Sequence, residues 1–266
     1  MITADPAIGQ DAAEFFRNMQ LEAVSDNYNQ LWVAPLMIKP RICQKIDQEI
    51  AKAQAGEPAE AFLKTNSVTD KDVIEKLAEA SRAGVKVTMF VRGISCLVPG
   101  VLEHTENIRI VSVVGRLLEH SRIYMFGAGD DKDVYLSSAD LMTRNLDKRV
   151  EIAWPVKDPS LKASVISYCD TMLKDTAKLR ELTADGTYTD LGHFAGEEKQ
   201  FDAQDRLIKE AYVAAEKAPR KQTPSYVMHA EKPAQPAPQQ QAEETPAVQV
   251  VATPKRKGFF SRLFGK

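Results

Sequence analysis

His120 and Arg122 stand two residues apart in LEHSRIYMF, ahead of an apolar run, so in an extended chain their side chains point to one face. Imidazole titrates near neutrality and can exchange a proton or accept a phosphoryl group, and a cation beside it neutralises charge developing on phosphate oxygens. Arg92 ends the apolar run VTMFV and precedes Gly93. Its guanidinium should therefore emerge at the carboxyl edge of a parallel sheet, the edge such sheets use for ligands, with the glycine permitting close approach. A planar, permanently charged fork suits phosphate. Lys64 and Asn66, in AFLKTNS, join Arg92, His120 and Arg122 as phosphate-binding candidates. So do Arg144 and Asn145, in the polar run Ser137–Arg149, where Ser137, Ser138 and Asp140 can also hold phosphate or orient a catalytic group. Each feature has a plainer reading: a surface ion pair for Arg92, a histidine hydrogen-bonded at a strand entrance for His120, and a capped, solvated helix start for the polar run.

The elements that must position these groups follow from periodicity. A short helical pattern covers Ala12–Met19, and LWVAPLM (Leu31–Met37) reads as a buried strand. Pro40 opens a helix through Ile42, Ile46 and Ile50 to about Ala53. AFLKTNS (Ala61–Ser67) is a strand. Asp70 caps a helix through Val73, Ile74, Leu77 and Ala80 that Gly84 ends, and Val85–Val91 is a strand again. Three strands alternating with two helices predict a parallel sheet. Beyond Arg92 the runs Ile108–Val114, Arg122–Gly127 and Asp133–Asp140 follow without helical patterns between them, which predicts antiparallel pairing, with the glycine- and aspartate-rich turn 127–133 joining the last two. The G-x-G in that turn precedes a strand rather than a helix, which argues against a dinucleotide site. A further strand covers Val150–Val156, a helix Pro159 to about Lys178, a turn Ala184–Tyr188 and a last helix Phe201–Lys217. The fold class expected is an α/β/α layered domain over residues 1–217.

Composition then shifts. Residues 218–254 are rich in proline and glutamine and offer too little apolar surface to offset chain entropy, so a disordered linker is expected. It leads to Lys255–Lys266, KRKGFFSRLFGK, which a helix would make amphipathic and basic, able to touch an anionic membrane or a partner's groove. An unstructured solubilising end is the alternative. The net charge of −2 gives the whole chain no bias toward nucleic acid or membrane, so any anion site must be local. Three widely spaced cysteines form neither a disulfide framework nor a zinc motif, and His104, His193 and His229 have no ligand companions. The start has no basic and apolar leader, and no run reaches the roughly 18 apolar residues of a membrane span. A cytoplasmic location is expected, with contact at the membrane's inner face through Lys255–Lys266 left open.

Five segments carry a resemblance: TADPAIGQDAAEFF, LWVAPLMIKPRICQKIDQEI, TNSVTDKDVIEKLAEASRAGVKVTMFVRGISCLVPG, ENIRIVSVVGRLLEHSRIYMF and VYLSSADLMTRNLDKRVEIAWPV. In order, over about Thr3 to Ala211, they resemble the C-terminal half of bacterial polyphosphate kinases of the first type. The resemblance implies the second of two phospholipase D-like domains, with a mixed sheet, and reversible transfer of the terminal phosphate of ATP to inorganic polyphosphate through a phosphohistidine. It places the family's second essential histidine on His120 and its phosphate-binding arginine on Arg92. The autophosphorylated histidine belongs to the preceding domain, upstream of TADP, so the chain alone is expected not to turn over. Magnesium is implied, with ligands outside this chain. The implied partners are ATP or ADP, inorganic polyphosphate and the N-terminal part of the kinase if separately encoded, and a homo-oligomer is open. SSADLM stands where the family has SSADWM, a packing change that leaves the phosphate-facing residues intact.

Two other functions compete. His120-x-Arg122 is a degenerate form of the His-x-Lys pair of phospholipase D-like phosphodiesterases, which could complete their site by dimerising. A noncatalytic polyanion-binding module delivered by its tail is the other.

Overall fold

The computed structural model describes residues 2–129, 132–190 and 200–217. The linker expected over 218–254, the tail 255–266, His193 and His229 lie outside the described residues. Helix α1 spans Pro6–Gln20, earlier than the periodicity of Ala12–Met19 suggests, because Asp5 accepts from the amides of Ala7 and Ile8 and Pro6 fits the first turn. The expected strand Leu31–Met37 shrinks to β1, Trp32–Val33. Pro35 has no N–H to give a ladder, and the chain turns so that Met37 N–H donates to Val33. Helix α2 (Ile38–Gln54) therefore starts two residues before Pro40.

The centre follows the sequence closely. β2 (Glu60–Thr65), α3 (Lys71–Arg82) and β3 (Lys86–Val91) form a succession of strand, capped helix and strand, with Asp70 accepting from Val73 N–H. β2 and β3 pair in parallel, Leu63 opposite Met89 and Thr65 opposite Val91. β4 (Ile108–Val113) departs from the antiparallel expectation: it lies parallel to β3, Val87 opposite Ile108, because residues 92–107 carry the chain back to the amino edge. β5 (Arg122–Phe126) and β6 (Asp133–Ser137) form the expected antiparallel hairpin. β5 also pairs antiparallel with β2, Lys64 opposite Ile123. After α4 (Thr143–Lys148), β7 (Ile152–Pro155) pairs with β6 and with β1. β1 thus lies antiparallel at one sheet edge instead of joining the parallel core.

Helix α5 (Pro159–Leu173) stops short of Lys178, and two short strands that periodicity did not announce follow, β8 (Leu179–Leu182) beside β4 and β9 (Tyr188–Asp190) at the sheet edge, joined by the turn expected at Ala184–Tyr188. Helix α6 covers Ala203–Lys217. The result is one mixed nine-stranded sheet, β1-β7-β6-β5-β2-β3-β4-β8-β9. Alternation along the strands divides the core. Leu63, Val87, Met89 and Tyr124 pack with Ile42, Ile46 and Leu77 of α2 and α3, whereas Phe62, Phe90, Val111 and Ile123 face Tyr168, Cys169 and Met172 of α5. The α/β/α layering read from the sequence is the architecture found. Because β2 and β3 are covered on both faces, their carboxyl ends are rigidly placed, with each fully buried large aliphatic side chain contributing roughly 1.5–3 kcal/mol.

Candidate phosphate-handling site

β2 runs antiparallel to β5 and parallel to β3, so the carboxyl ends of β2 and β3 meet the amino end of β5 and the carboxyl end of β6 at one sheet edge. Arg92, Asn66, His120–Arg122 and Asp140 all sit there. Asp140 is the organising group. Its Oδ1 accepts from Asn66 N–H at 2.7 Å, from Thr65 Oγ1 at 3.0 Å and from Arg122 Nε at 3.1 Å, and its Oδ2 accepts from Arg122 Nη2 at 2.9 Å. Burial opposes its ionisation, but the bonds from Arg122, Asn66 and Thr65 outweigh it and hold the carboxyl below its ordinary value. Burial likewise disfavours the charge on Arg122, and Asp140 more than restores it.

Arg122 turns its remaining donors to His120, with Nη1 3.1 Å from Nδ1 and Nη2 3.3 Å from Nε2. A guanidinium can only donate and a neutral imidazole has one nitrogen lone pair, so one of these two contacts is a hydrogen bond, with the tautomer deciding which. Partial burial, then Arg122, with smaller contributions from Arg92 and Lys64, lower the His120 pKa from 6.5, while Asp140 works the other way. The imidazole is exposed to solvent and held neutral near physiological pH. Arg92 Nε donates to Asn66 Oδ1 at 2.6 Å, and among the described residues no carboxylate lies within ion-pair distance of it. The surface ion pair considered for Arg92 is not formed. Arg92, Asn66, Asp140, Arg122 and His120 are thus linked bond by bond.

Lys64 reaches the same edge from the α5 side of the sheet. It is 2% exposed, lies over the rings of Phe90 and Tyr168, donates to Ser121 O at 3.3 Å and stands 3.6 Å from Glu119 Oε2. Burial lowers its pKa, Arg92 adds to the effect and Glu119 opposes it. Tyr168 donates to Glu119 and stands 3.1 Å from Ser121 Oγ.

The polar run 137–149 divides. Asn145 is 2% exposed and its amide donates to Glu151 Oε1 at 2.8 Å, so it belongs to the scaffold, a correction to its place among phosphate binders. Arg144 is exposed on α4, and no hydrogen bond joins it to the network. Thr65, Glu119 and Tyr168 escaped the candidate list, since their partners are remote in sequence; Asp140, a candidate for holding phosphate or orienting a catalytic group, holds Arg122. The one available signal was Glu119, an acid abutting His120. His104 lies four residues before β4, at the opposite sheet edge from Arg92. A cavity of about 250 Å³ lined by Glu60, Lys86, Lys132 and Cys169 also opens at that opposite edge. Burial pushes the Cys169 thiol up to about 12, which disqualifies it as a nucleophile.

Among the described residues no group of three or more His, Cys, Asp or Glu side chains could hold a metal ion. Of the carboxylates at this edge, Asp140 is fully engaged by Arg122, Thr65 and Asn66, and Glu119 is held by Tyr168 and Lys64. These residues do not fit a magnesium ion.

Comparison with known proteins places the chain in a family. Residues 31–204 match the family described as polyphosphate kinase C-terminal domain 2. A polyphosphate kinase of Bacillus cereus is 44% identical over 211 residues, 79% of this chain and 30% of the relative. One from Staphylococcus saprophyticus is 39% identical over 263 residues, 99% of this chain and 33% of the relative. The crystal structure of polyphosphate kinase from Porphyromonas gingivalis superposes with a TM-score of 0.75 at 34% identity, covering 81% of this chain and 33% of that one. The chain spans about a third of the length of these relatives. Among the described residues no helix is long and apolar enough to cross a membrane.

Proposed function

This chain belongs to the polyphosphate kinase family, and from that premise we propose that its sheet-edge pocket binds and orients phosphoryl groups during reversible transfer between ATP and inorganic polyphosphate. The observation that carries the reading is an arginine without a carboxylate partner among the described residues, Arg92, bonded through Asn66 into the network that holds a neutral His120 beside Arg122. Arg92 braces phosphoryl oxygens with the Nη donors that Asn66 does not use. Arg122, anchored by Asp140, supplies fixed positive charge beside the imidazole. His120 gives or takes the proton at the reacting oxygen or at the histidine that carries the phosphoryl group. The three cations that suppress its protonation are neutralised when a phosphate enters, so ligand binding itself raises the proton affinity of the ring.

In this reading the phosphorylated histidine is contributed from outside these 266 residues, as are the magnesium ligands. The chain by itself therefore binds polyphosphate but does not synthesise it. Two measurements test this. Incubated with ATP and magnesium, the purified chain should yield no polyphosphate above a no-protein control; robust synthesis refutes the division of the site. Inorganic tripolyphosphate should raise its thermal unfolding midpoint, and Arg92→Ala should weaken that binding about tenfold or more, as expected for loss of a charge-assisted pair of hydrogen bonds. No binding in the wild type refutes the phosphate reading, and release of free head group from a phosphodiester substrate would favour the dimeric phosphodiesterase instead.

A further inference from the structure

The loop that delivers His120, residues 114–121, lies outside every strand, and among the described residues its main chain takes part in no turn or loop backbone–backbone hydrogen bond. It nevertheless carries the proton-handling group of the site. Side chains hold it at two points. At its middle, Gln204 from the first turn of α6 bridges Leu117 in both directions: Gln204 Oε1 accepts from Leu117 N–H at 2.9 Å and Gln204 Nε2 donates to Leu117 O at 2.8 Å. Gln204 is 2% exposed. At the loop's end, Tyr168 and Lys64 both engage Glu119, and Lys64 also donates to Ser121 O.

The Gln204 joint is built tightly. A Cβ added at Gly115 would fall well inside contact distance of Gln204 Oε1 and 2.7 Å from its Cδ, so position 115 takes glycine because of the packing of this one side chain. Gln204 is in turn fixed from behind. Asp175, 1% exposed, accepts at Oδ2 from Ala203 N–H at 2.8 Å, and at Oδ1 from the amides of Ala177, Lys178 and Leu179. One carboxylate thereby ties the start of α6 to the start of β8. α6 contributes Ala203 to the core, while much of its length is exposed.

Resting on the reading that His120 serves phosphoryl transfer, we infer that Gln204 and Glu119 are positioning residues: they hold the loop 114–121 against α6 and α5 so that the His120 ring stays beside Arg122 and Arg92. A glutamine pairing both the N–H and the C=O of one residue, Leu117, substitutes for the strand partner this loop lacks. Glu119 points to the opposite side of the chain from His120, so seating Glu119 on Tyr168 and Lys64 turns the imidazole outward to the site. α6, far from the reacting groups in sequence, becomes part of what places them.

Histidine ring titration and amide hydrogen exchange on the full 266-residue chain test this, with the His120 signal identified by its loss in His120→Asn. Gln204→Ala should speed exchange of the Leu117, Leu118 and Glu119 amides about tenfold or more while amides of β2 and β3 stay at wild-type rates. The ring titration of His120 should move up toward 6.5 as the imidazole leaves its cationic surroundings. A merely structural glutamine would lower overall stability without moving that titration. A folded Gln204→Ala chain with unchanged loop exchange and unchanged His120 titration overturns the inference.

Gly115→Ala approaches the same joint from the other side. It should loosen the loop by itself yet add nothing in the Gln204→Ala background, because the atoms it strikes are then gone; strictly additive effects overturn the inference. Tyr168→Phe should loosen residues 119–121 and shift His120 in the same direction, less than Gln204→Ala. None of these readouts needs polyphosphate. Failure of the wild-type chain to bind tripolyphosphate would remove the proposed function while the loop measurements still decide the positioning role.

Discussion

Asp140 and Glu151 are equally buried carboxylates, each 6% exposed, eleven residues apart in one stretch of sequence, and they do different work. Glu151 collects Asn145 at 2.8 Å, Ser138 at 2.5 Å and the partly exposed Arg149 at 3.4 Å, while its main-chain oxygen accepts from Ala34. All of these belong to the β6–α4–β7 connection or to the β1 turn beside it. Asp140 instead gathers the end of β2 and the start of β5, and the arginine it holds touches His120. The lesson is that burial and full hydrogen bonding do not separate a scaffold carboxylate from a site carboxylate. What separates them is where the partner's remaining donors point. Those of Arg122 point to an exposed imidazole; among the described residues, none of those around Glu151 bonds to a group of the His120 site.

The comparison can be broken by mutation. The largest effect is expected from Asp140→Ala, which leaves Arg122 without its counter-charge and Thr65 and Asn66 without their acceptor. Removing one partner of a buried pair costs about 3–5 kcal/mol, to be read from denaturant midpoints, and tripolyphosphate binding should go with it even where the chain remains folded. Glu151→Ala should cost less, about 1–3 kcal/mol for the stranded polar groups, and the folded fraction should bind tripolyphosphate as tightly as wild type. Equal damage to binding by both substitutions would erase the distinction between the two carboxylates.

The smallest effects are pH-dependent, and both have the same sign. The folded-state pKa of Asp140 lies below 3.8, so its stabilisation is present above that value and is lost as pH falls through the lower folded one. His120 is also lowered, from 6.5, so the folded chain binds fewer protons than the unfolded chain below that pH, and stability declines as pH drops through this window. Asp140→Asn should remove the steeper acid limb in chemical denaturation, and His120→Asn only a shallow slope starting near 6.5. A wild-type profile without the acid limb that Asp140→Asn removes would show that Arg122 does not depend on that carboxylate.

Much of this arrangement was legible in the chain, for identifiable reasons. β2, α3 and β3 follow from an apolar run, the Asp70 cap and a second apolar run, signals that act within a few residues. The His120–Arg122 pairing follows from period-two geometry alone, and Arg92 from its place at a strand end. The losses are all non-local. Pro35 truncated β1 because a ladder needs its missing N–H. β4 joined β3 in parallel because a long excursion returned the chain to the amino edge. β8 and β9 are short strands at one end of the sheet whose pairing is decided by what lies beside them. Asn145 had the right chemistry for phosphate but was taken by Glu151, and Asp140 meets Thr65 and Asn66 across 75 and 74 residues, beyond any spacing rule. Gln204 meets Leu117 across 87.

The β5–β6 hairpin has a practical consequence. Both strands carry their functional ends, Arg122 and the approach to Asp140, at one edge, and their other ends, the paired Phe126 and Asp133, lie at the opposite one, where the turn opens with Gly127 and Gly129 at positive φ. Foreign sequence inserted in that turn would lengthen the chain on the side remote from the imidazole. A reporter peptide or a surface tether could be grafted there with the register of the two strands, and everything fastened to them, left in place.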